Sequence, residues 1–281
     1  MPAHSPSPEH APLRGRTALV TGANHGIGAA TAIALAEAGA DVALTYLRQD
    51  LAAEADDIGV GDRFVRDRAA DATAVVEAIE ALGRRATAIE ADLADPHAPA
   101  TVFDTAEATV GGIDILVNNA SGWRKDSFAP DGVDAVGRTG ATMSASTVDA
   151  QLLVDARGSA LLIAELATRI RARHAAWGRI VGLTSGGPNG FPGEVSYGAA
   201  KAALENYTMS AAIELADEGV TANMIHPPVT DTGWANDDVR EFVRTSTSHT
   251  HVAEPADVAE VIVWLCTDAA RMVSGNVIRM R

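Results

Sequence analysis

The sequence is short of cysteine, of aromatic residues and of positive charge. Cys266 is its only cysteine, so no disulfide can form within the chain. Lysine and arginine number 22 against 37 aspartates and glutamates, which gives a formal net charge of -15. Because such a surface repels phosphate groups, neither nucleic acid nor an anionic membrane is an expected partner.

Long apolar runs are also missing, and none approaches the length of a membrane span. The first residues, from Met1 to Pro6, lack the basic and apolar segments of a signal peptide, so we expect a cytoplasmic protein. Residues 1–14 carry four prolines and almost no large apolar side chain, which predicts a disordered tail. We assign residues 15–281 to one folded domain and expect no metal site.

The rest of the chain alternates short apolar runs with alanine-rich stretches. This pattern is typical of an α/β fold, here a single-domain, Rossmann-like, doubly wound parallel sheet of about seven strands with helices on both faces. The charged stretch from Gln49 to Asp71 is predicted to be an insertion made of surface loop and helix. The strands are predicted near residues 16–21, 41–46, 86–90, 113–118, 178–184, 219–225 and 275–280.

A glycine-rich turn follows the first predicted strand. Its glycines allow a sharp bend and the close approach of a bulky anionic ligand. The helix that begins there offers unpaired N–H groups and the positive end of its dipole to a pyrophosphate. The turn is therefore predicted to bind a dinucleotide through residues Gly22, Asn24, His25, Gly26, Ile27 and Gly28.

The end of the second strand bears on the choice between NAD and NADP. An acidic residue there binds the ribose hydroxyls of NAD, whereas a basic residue can accept the 2′-phosphate of NADP. No acid is present at residues 45–47, and Arg48 follows them. His25 is a second candidate to face that phosphate. The sequence thus favours NADP (NADPH) over NAD, although Arg48 can also be read as a solvated surface residue.

Polar residues follow the third and fourth strands. Asp92 and Asp95 come after the third, and Asn118 and Asn119 after the fourth. Helix capping and turn formation explain each pair by itself. Ligands bind at the carboxyl edge of an open parallel sheet, however, and this position favours a functional site.

A tyrosine and a lysine, Tyr197 and Lys201, open a long predicted helix after the fifth strand. Their spacing of four places them on one helical face, where an ammonium favours the phenolate form of a neighbouring tyrosine. Lowering a tyrosine pKa from about 10 to about 7 needs on the order of 4 kcal/mol, so the lysine must be close and poorly solvated. By itself, such a pair is usually a surface feature.

Taken together, these motifs resemble those of the short-chain dehydrogenase/reductase (SDR) family, classical type. The resemblance runs from about Leu13 to the C-terminus and includes the glycine turn, the Asp92-Leu93 pair, the Asn-Asn-Ala segment, Ser185 and the Tyr-x-x-x-Lys spacing. It implies that Tyr197 is the general acid, that Ser185 holds the substrate oxygen, and that Lys201 lowers the tyrosine pKa and binds the nicotinamide ribose. It further implies that the cofactor contacts Asp92, Leu93, Asn119, Ala120, Pro227, Thr230 and Thr232.

Three positions depart from the family pattern. Asp155 aligns with the asparagine that holds a proton-relay water, and its charge would oppose the lowering of the tyrosine pKa. Pro228 replaces a glycine and removes a backbone donor. Ser185 lies one residue closer to Tyr197 than usual, so Thr184 is the second choice for its role.

The resemblance implies a small-molecule substrate and a homodimer or homotetramer. We expect residues 123–134 and 234–251 to cover the substrate pocket, where Trp123, Phe128, Phe191 and Trp234 would suit an apolar or cyclic substrate. The leading hypothesis is hydride transfer between NADP(H) and a carbonyl or secondary alcohol. The alternatives are a non-catalytic dinucleotide-sensing regulator and a reductase of an imine or activated alkene.

Overall fold

The computed structural model describes residues 11–51, 61–129, 131, 141–186, 190–247 and 250–281. Seven strands form one sheet in the order β3-β2-β1-β4-β5-β6-β7, and every neighbouring pair is parallel. This confirms the predicted sheet. The strands are β1 (Thr17–Val20), β2 (Asp41–Tyr46), β3 (Ala86–Glu90), β4 (Ile115–Asn118), β5 (Gly178–Leu183), β6 (Val220–His226) and β7 (Asn276–Arg279).

Helices occupy the stretches between the strands, as the alanine-rich composition predicts. A π-helical segment, Leu152–Gly158, joins two of them, and a 3₁₀ turn covers Asp268–Ala270. The α-helices described are α1 (Gly26–Glu37), α2 (Asp62–Ala69), α3 (Thr73–Ala81), α4 (Ala98–Val110), α5 (Ala145–Gln151), α6 (Ser159–Ala172), α7 (Val195–Glu214), α8 (Asp237–Thr245) and α9 (Pro255–Cys266).

The two faces of the sheet carry separate hydrophobic cores. On one face α1, α3 and α9 pack on the strands, with Leu35 and Ile262 fully buried. On the other face α4, α6 and α7 pack, with Phe103 and Leu166 fully buried. Each such side chain contributes about 1.5–3 kcal/mol through removal from water. This two-sided burial explains why the central strands are apolar on both faces.

The structure corrects the end of the predicted tail. Leu13 is fully buried, and its N–H donates to the Ala38 carbonyl at 2.9 Å. Ala11 lies against Gly39, so the packed fold already includes residues that we had placed in the tail. Residues 1–10 lie outside the described part. The composition of residues 1–14 did not indicate this burial, because one large apolar residue among prolines gives no periodic signal.

The strand order reverses beside β1, between β2 on one side and β4 on the other. Loops after β1 and β4 therefore separate at the carboxyl edge and leave a crevice, which is where ligands bind in open α/β sheets. The predicted insertion does contain a helix, α2, and it lies close to this crevice. Within the described ranges, no helix is long and apolar enough to cross a membrane.

Candidate active site

A cavity of about 180 Å³ lies at this crevice, at the carboxyl edge of β1, β2, β3 and β4. Its wall includes ten of the residues that the sequence predicted for the dinucleotide. They come from the glycine turn, from the ends of β3 and β4, and from the loop after β6. These residues are Gly22, Asn24, His25, Gly26, Ile27, Asp92, Leu93, Asn119, Ala120 and Thr232.

The shape of the glycine turn requires glycine at two positions, because a side chain at either one would introduce strain. Gly26 has a φ of +57°, a conformation that L side chains rarely adopt. A Cβ at Gly28 would overlap the Gly22 carbonyl oxygen and stand 2.5 Å from the Asn119 side-chain nitrogen. That nitrogen donates to the carbonyls of Thr21 and Gly22, both at 2.9 Å, and so fixes the turn to the end of β4. Asn119 therefore shapes the cleft as well as lining it.

The N-terminus of α1 is open towards the cavity. His25 precedes the first turn, but its side chain makes no capping hydrogen bond, and the first turn contains no acidic residue. The free N–H groups and the helix dipole thus remain available to an anion. Burial, helped by the nearby Arg68 cation, lowers the pKa of His25 to about 4, so the imidazole is neutral at physiological pH. These features fit the pyrophosphate of a dinucleotide.

The predicted catalytic side chains come together beyond one end of this cavity. The ammonium of Lys201 lies 5.4 Å from the centre of the Tyr197 ring, and the Ser185 side chain is close enough to Tyr197 to lower the pKa of the phenol. Phe191 packs beside the tyrosine, with ring centroids 6.0 Å apart. Between the two choices made from sequence, this geometry favours Ser185 over Thr184, which is buried at the end of β5.

Asp155 is fully buried in the π-helical segment. One of its oxygens, Oδ1, lies 2.9 Å from the Lys201 ammonium, and the other accepts a hydrogen bond from the Gly122 N–H at 2.7 Å. Gly122 lines the cavity, so this contact joins the catalytic cluster to the dinucleotide cleft. The sequence had placed Asp155 near Lys201 but had not predicted a direct ion pair.

The buried ion pair changes the electrostatics expected for the tyrosine. Burial raises the pKa of Tyr197, Lys201 lowers it, and Asp155 and Glu194 raise it again, with a net upward shift. Burial lowers the pKa of Lys201, but Asp155 raises it above its ordinary value. Lys201 thus acts on the tyrosine pKa in the expected direction, but the net shift is upward, mainly because the phenol is buried and also because the Asp155 carboxylate opposes the ammonium.

Arg48, predicted to bind the 2′-phosphate, does not line the cavity. Its guanidinium binds the Glu90 carboxylate at the end of β3 through two hydrogen bonds, of 2.7 and 3.0 Å. Both side chains are substantially exposed, and such pairs contribute little, so Arg48 remains able to reorient. The arginine that does line the cavity is Arg68, on α2. The sequence reasoning missed it because only the fold brings the insertion over the cleft.

Pro227 and Thr230 stand outside the cavity wall. The Thr230 hydroxyl donates to the Pro228 carbonyl at 2.9 Å, so Thr230 stabilises its own loop. The same loop carries Thr232 against Gly26, where a Cβ would stand 3.0 Å from the threonine methyl group. The loop after β6 thus closes on the glycine turn through Thr232.

Of the four aromatic residues predicted for the substrate pocket, the structure places one, Phe191, beside the predicted catalytic tyrosine, Tyr197. Phe128, by contrast, is 80% exposed and does not line the described cavity. Trp123 packs edge-on against Phe64 of α2, and the Trp234 indole donates to the Thr230 carbonyl. No group of three or more metal-ligating side chains occurs among the residues with a described placement.

Comparison with known proteins agrees with this architecture. Residues 61–280 match the family model described as enoyl-(acyl carrier protein) reductase, and residues 16–60 match that described as short chain dehydrogenase. An L-rhamnose 1-dehydrogenase (NAD(P)(+)) of Sphingomonas sp. is 31% identical over 94% of this chain and 93% of its own length.

Two solved structures are similar over nearly the whole chain. A short chain dehydrogenase from Burkholderia cenocepacia in complex with NADP is 33% identical, with a TM-score of 0.76 and coverage of 96% of this chain and 97% of that one. The angucycline C-6 ketoreductase LanV with bound NADP is 30% identical, with a TM-score of 0.76 and 95% coverage of both chains. The chain belongs to the short-chain dehydrogenase/reductase family, classical type, and is an NAD(P)-dependent oxidoreductase.

Proposed function

We propose that this protein reduces the carbonyl group of a small, apolar or cyclic molecule at the expense of NADPH. The observation that carries the proposal is the grouping of Ser185, Tyr197 and Lys201 beside the dinucleotide cleft. A hydroxyl donor, an acid and a cation at one point are what the reduction of a carbonyl requires.

In the proposed reaction, the Ser185 hydroxyl holds the carbonyl oxygen of the substrate. NADPH, when bound, would supply the hydride that adds to the carbonyl carbon, and the cofactor would be left as NADP⁺. Tyr197 gives its phenolic proton to the oxygen as the alcohol forms. Lys201 stabilises the phenolate that remains. The Lys201 ammonium is itself paired with the Asp155 carboxylate, 2.9 Å away. The phenolate then recovers a proton from solvent.

The cofactor is held by the cavity wall in this proposal. The pyrophosphate rests on the turn of Asn24, Gly26, Ile27 and Gly28, and the adenosine lies towards β2 and β3. The other contacts we propose are Gly22, His25, Asp92, Leu93, Asn119 and Ala120 around the adenosine half and Lys201, Pro227, Thr230 and Thr232 around the nicotinamide half.

A preference for NADPH is supported by two observations. No acidic residue ends β2, and two similar structures carry NADP. We propose that Arg48 leaves Glu90 to bind the 2′-phosphate. Arg48→Ala should then raise the Kd of NADPH about tenfold or more and leave that of NADH unchanged. An equal effect on both cofactors, or none, contradicts this role.

The test of the function is a carbonyl panel combined with the Tyr197→Phe variant. Removal of the acid should lower kcat by about 10²- to 10⁴-fold, while NADPH binding, followed by tryptophan fluorescence, persists. Full activity in this variant refutes the assigned role. Cofactor binding without turnover of any carbonyl, imine or activated alkene favours a dinucleotide-sensing regulator instead.

A homodimer or homotetramer is also proposed. Helix α7 exposes Ala199, Ala202, Tyr207 and Ile213, and Ile213 is 80% exposed. An apolar helix face of this kind is suited to contact with a second copy. Light scattering on the purified protein measures the molar mass, and a monomer contradicts the proposal.

A further inference from the structure

The insertion after β2 folds back over the cofactor cleft through α2. The side-chain amide of Asn24, in the glycine turn, donates to the carbonyl of Asp67 at 3.3 Å and to that of Ala70 at 2.9 Å. These two bonds fix the C-terminal end of α2 directly above the turn. Arg68 lies between the two bonded positions in the chain, so it is held next to the glycine turn.

Two further contacts attach α2 to the opposite walls of the cleft. Phe64 meets Trp123, in the loop after β4, with ring centroids 6.3 Å apart. Gly233, in the loop after β6, lies so close to α2 that a Cβ would stand 3.4 Å from the Phe64 nitrogen. Helix α2 thus touches three loops that surround the cleft, and it forms a roof over the cavity.

Arg68 is the cation that this roof presents to the cavity. Its guanidinium makes one described side-chain hydrogen bond, to the Gln49 oxygen at 3.1 Å, and lies over the ring of Phe64. The Nε atom is fully buried and has no hydrogen-bond partner. A guanidinium carries five N–H donors in a fork that matches phosphate or carboxylate oxygens. Most of this capacity is unused by the described residues.

The described carboxylates near Arg68 are bound to other cations. Asp67 pairs with Arg63 and Arg66 on the outside of α2, and Asp155 is held by Lys201. Burial and the neighbouring Arg124 cation together lower the pKa of Arg68 to about 10, against smaller upward effects of Tyr197 and Asp155. A half-buried cation that pairs with no carboxylate among the described residues gains free energy from an anion that enters the cleft.

We propose that Arg68 is a dinucleotide-binding residue, which α2 holds above the glycine turn so that its guanidinium binds the pyrophosphate from the side opposite the N-terminus of α1. This rests on the proposed function, since it requires that the cleft bind NADPH. The pyrophosphate is favoured over the 2′-phosphate because Arg68 is fixed beside Asn24, in the turn itself. Its charge also acts on His25, the residue that precedes α1.

The assignment makes a prediction that differs from the one for Arg48. NADH and NADPH share the pyrophosphate, so Arg68→Ala should raise the Kd of both by a similar factor, about ten- to a hundredfold. Arg68→Lys keeps the charge but loses the forked geometry, and it should lie between wild type and alanine. The matched control is Arg66→Ala, since Arg66 is on the same helix and largely exposed; it should bind both cofactors as wild type does.

The experiment is a calorimetric titration of the wild type and the three variants with NADPH and with NADH, after circular dichroism has shown that each variant folds. Equal weakening of both cofactors in Arg68→Ala supports the proposal. Weakening of NADPH alone overturns it, because that result assigns Arg68 to the 2′-phosphate. Unchanged binding overturns it as well, and tighter binding does so by showing that the side chain obstructs the cleft.

The same titration separates this inference from the proposed function. A wild type that binds neither cofactor refutes both. A wild type that binds NADPH while Arg68→Ala binds it equally well refutes the role of Arg68 and leaves the proposed function standing. Should Arg68→Ala fail to fold, the Arg68→Lys variant decides in the same way, since its aliphatic chain keeps much of the packing against Phe64.

Discussion

The substitution Asp155→Asn tests the electrostatics of the catalytic cluster most directly. Asparagine keeps an oxygen that can accept from Gly122 or from Lys201, and it removes the negative charge that faces the ammonium. Lys201 would then act on Tyr197 without the Asp155 carboxylate, although Glu194 would still oppose it. We therefore expect the pKa of Tyr197 to fall, since Asp155 is among the causes that raise it.

The size of the fall follows from the distances. The ammonium is 2.9 Å from the carboxylate and 5.4 Å from the centre of the phenol ring. We take the Asp155 carboxylate and the Tyr197 phenolate to be about 6 to 8 Å apart. At that separation, with an effective dielectric constant of about 20, their two unit charges interact by about 2 to 3 kcal/mol, or about 1.5 to 2 pKa units. Relaxation of the asparagine and loss of part of the lysine charge reduce this, so a fall of about 1 to 2 units is expected.

The assay is the pH dependence of kcat/KM in both directions. Carbonyl reduction needs the protonated phenol, so its rate falls as pH rises through the pKa, and in Asp155→Asn this fall should begin at lower pH. Alcohol oxidation needs the phenolate, so its rising limb should also move to lower pH. Asp104→Asn is the matched control, because it removes one carboxylate from an exposed position of α4. Profiles that stay in place or move to higher pH refute the reasoning.

Three further predictions concern packing and reactivity. Gly28→Ala should cost about 1 to 3 kcal/mol in thermal unfolding because the added Cβ meets the glycine turn, whereas Gly61→Ala, where the Cβ meets nothing within 4 Å, should leave the melting temperature nearly unchanged. Cys266 is fully buried, and burial raises its pKa to about 12, so a thiol reagent should label it only after denaturation; rapid labelling of the native protein contradicts this. Arg169→Ala breaks ion pairs to three carboxylates and should lower the free energy of unfolding by about 1 to 2 kcal/mol, while Arg244→Ala, in a single exposed pair, should leave it nearly unchanged; equal losses refute the argument.

The sheet and the glycine turn were predictable because their signals are local. Strand β2, for example, is an apolar run between a glycine and a charged segment, and the structure places it at residues 41–46 as predicted. The turn could be recognised because Gly26 adopts a positive φ and Gly28 has no room for a Cβ, two conditions that favour glycine over other residues. The position of Ser185 next to Tyr197 also followed from the family pattern, despite the altered spacing.

The contacts that distinguish this chain were not predictable from local pattern. Arg48 follows β2 directly and was the obvious candidate, whereas Arg68 is 20 residues further on, within a segment whose composition indicated only loop and helix. Its place in the cavity depends on Asn24, Trp123 and Gly233, which are far away in the sequence. Such non-local packing decides where an inserted helix lies, and the sequence of the helix alone does not reveal it.

The buried pair of Asp155 and Lys201 bears on the direction of the reaction. A lone ammonium would favour the phenolate, which is the base for alcohol oxidation. Burial of the phenol raises the pKa of Tyr197 above its ordinary value, and the carboxylate 2.9 Å from the ammonium adds to this by offsetting the positive charge. An incoming dinucleotide brings further negative charge and acts in the same sense. A raised pKa keeps the phenol protonated at neutral pH, and the protonated phenol is the form from which the proposed carbonyl reduction takes its proton.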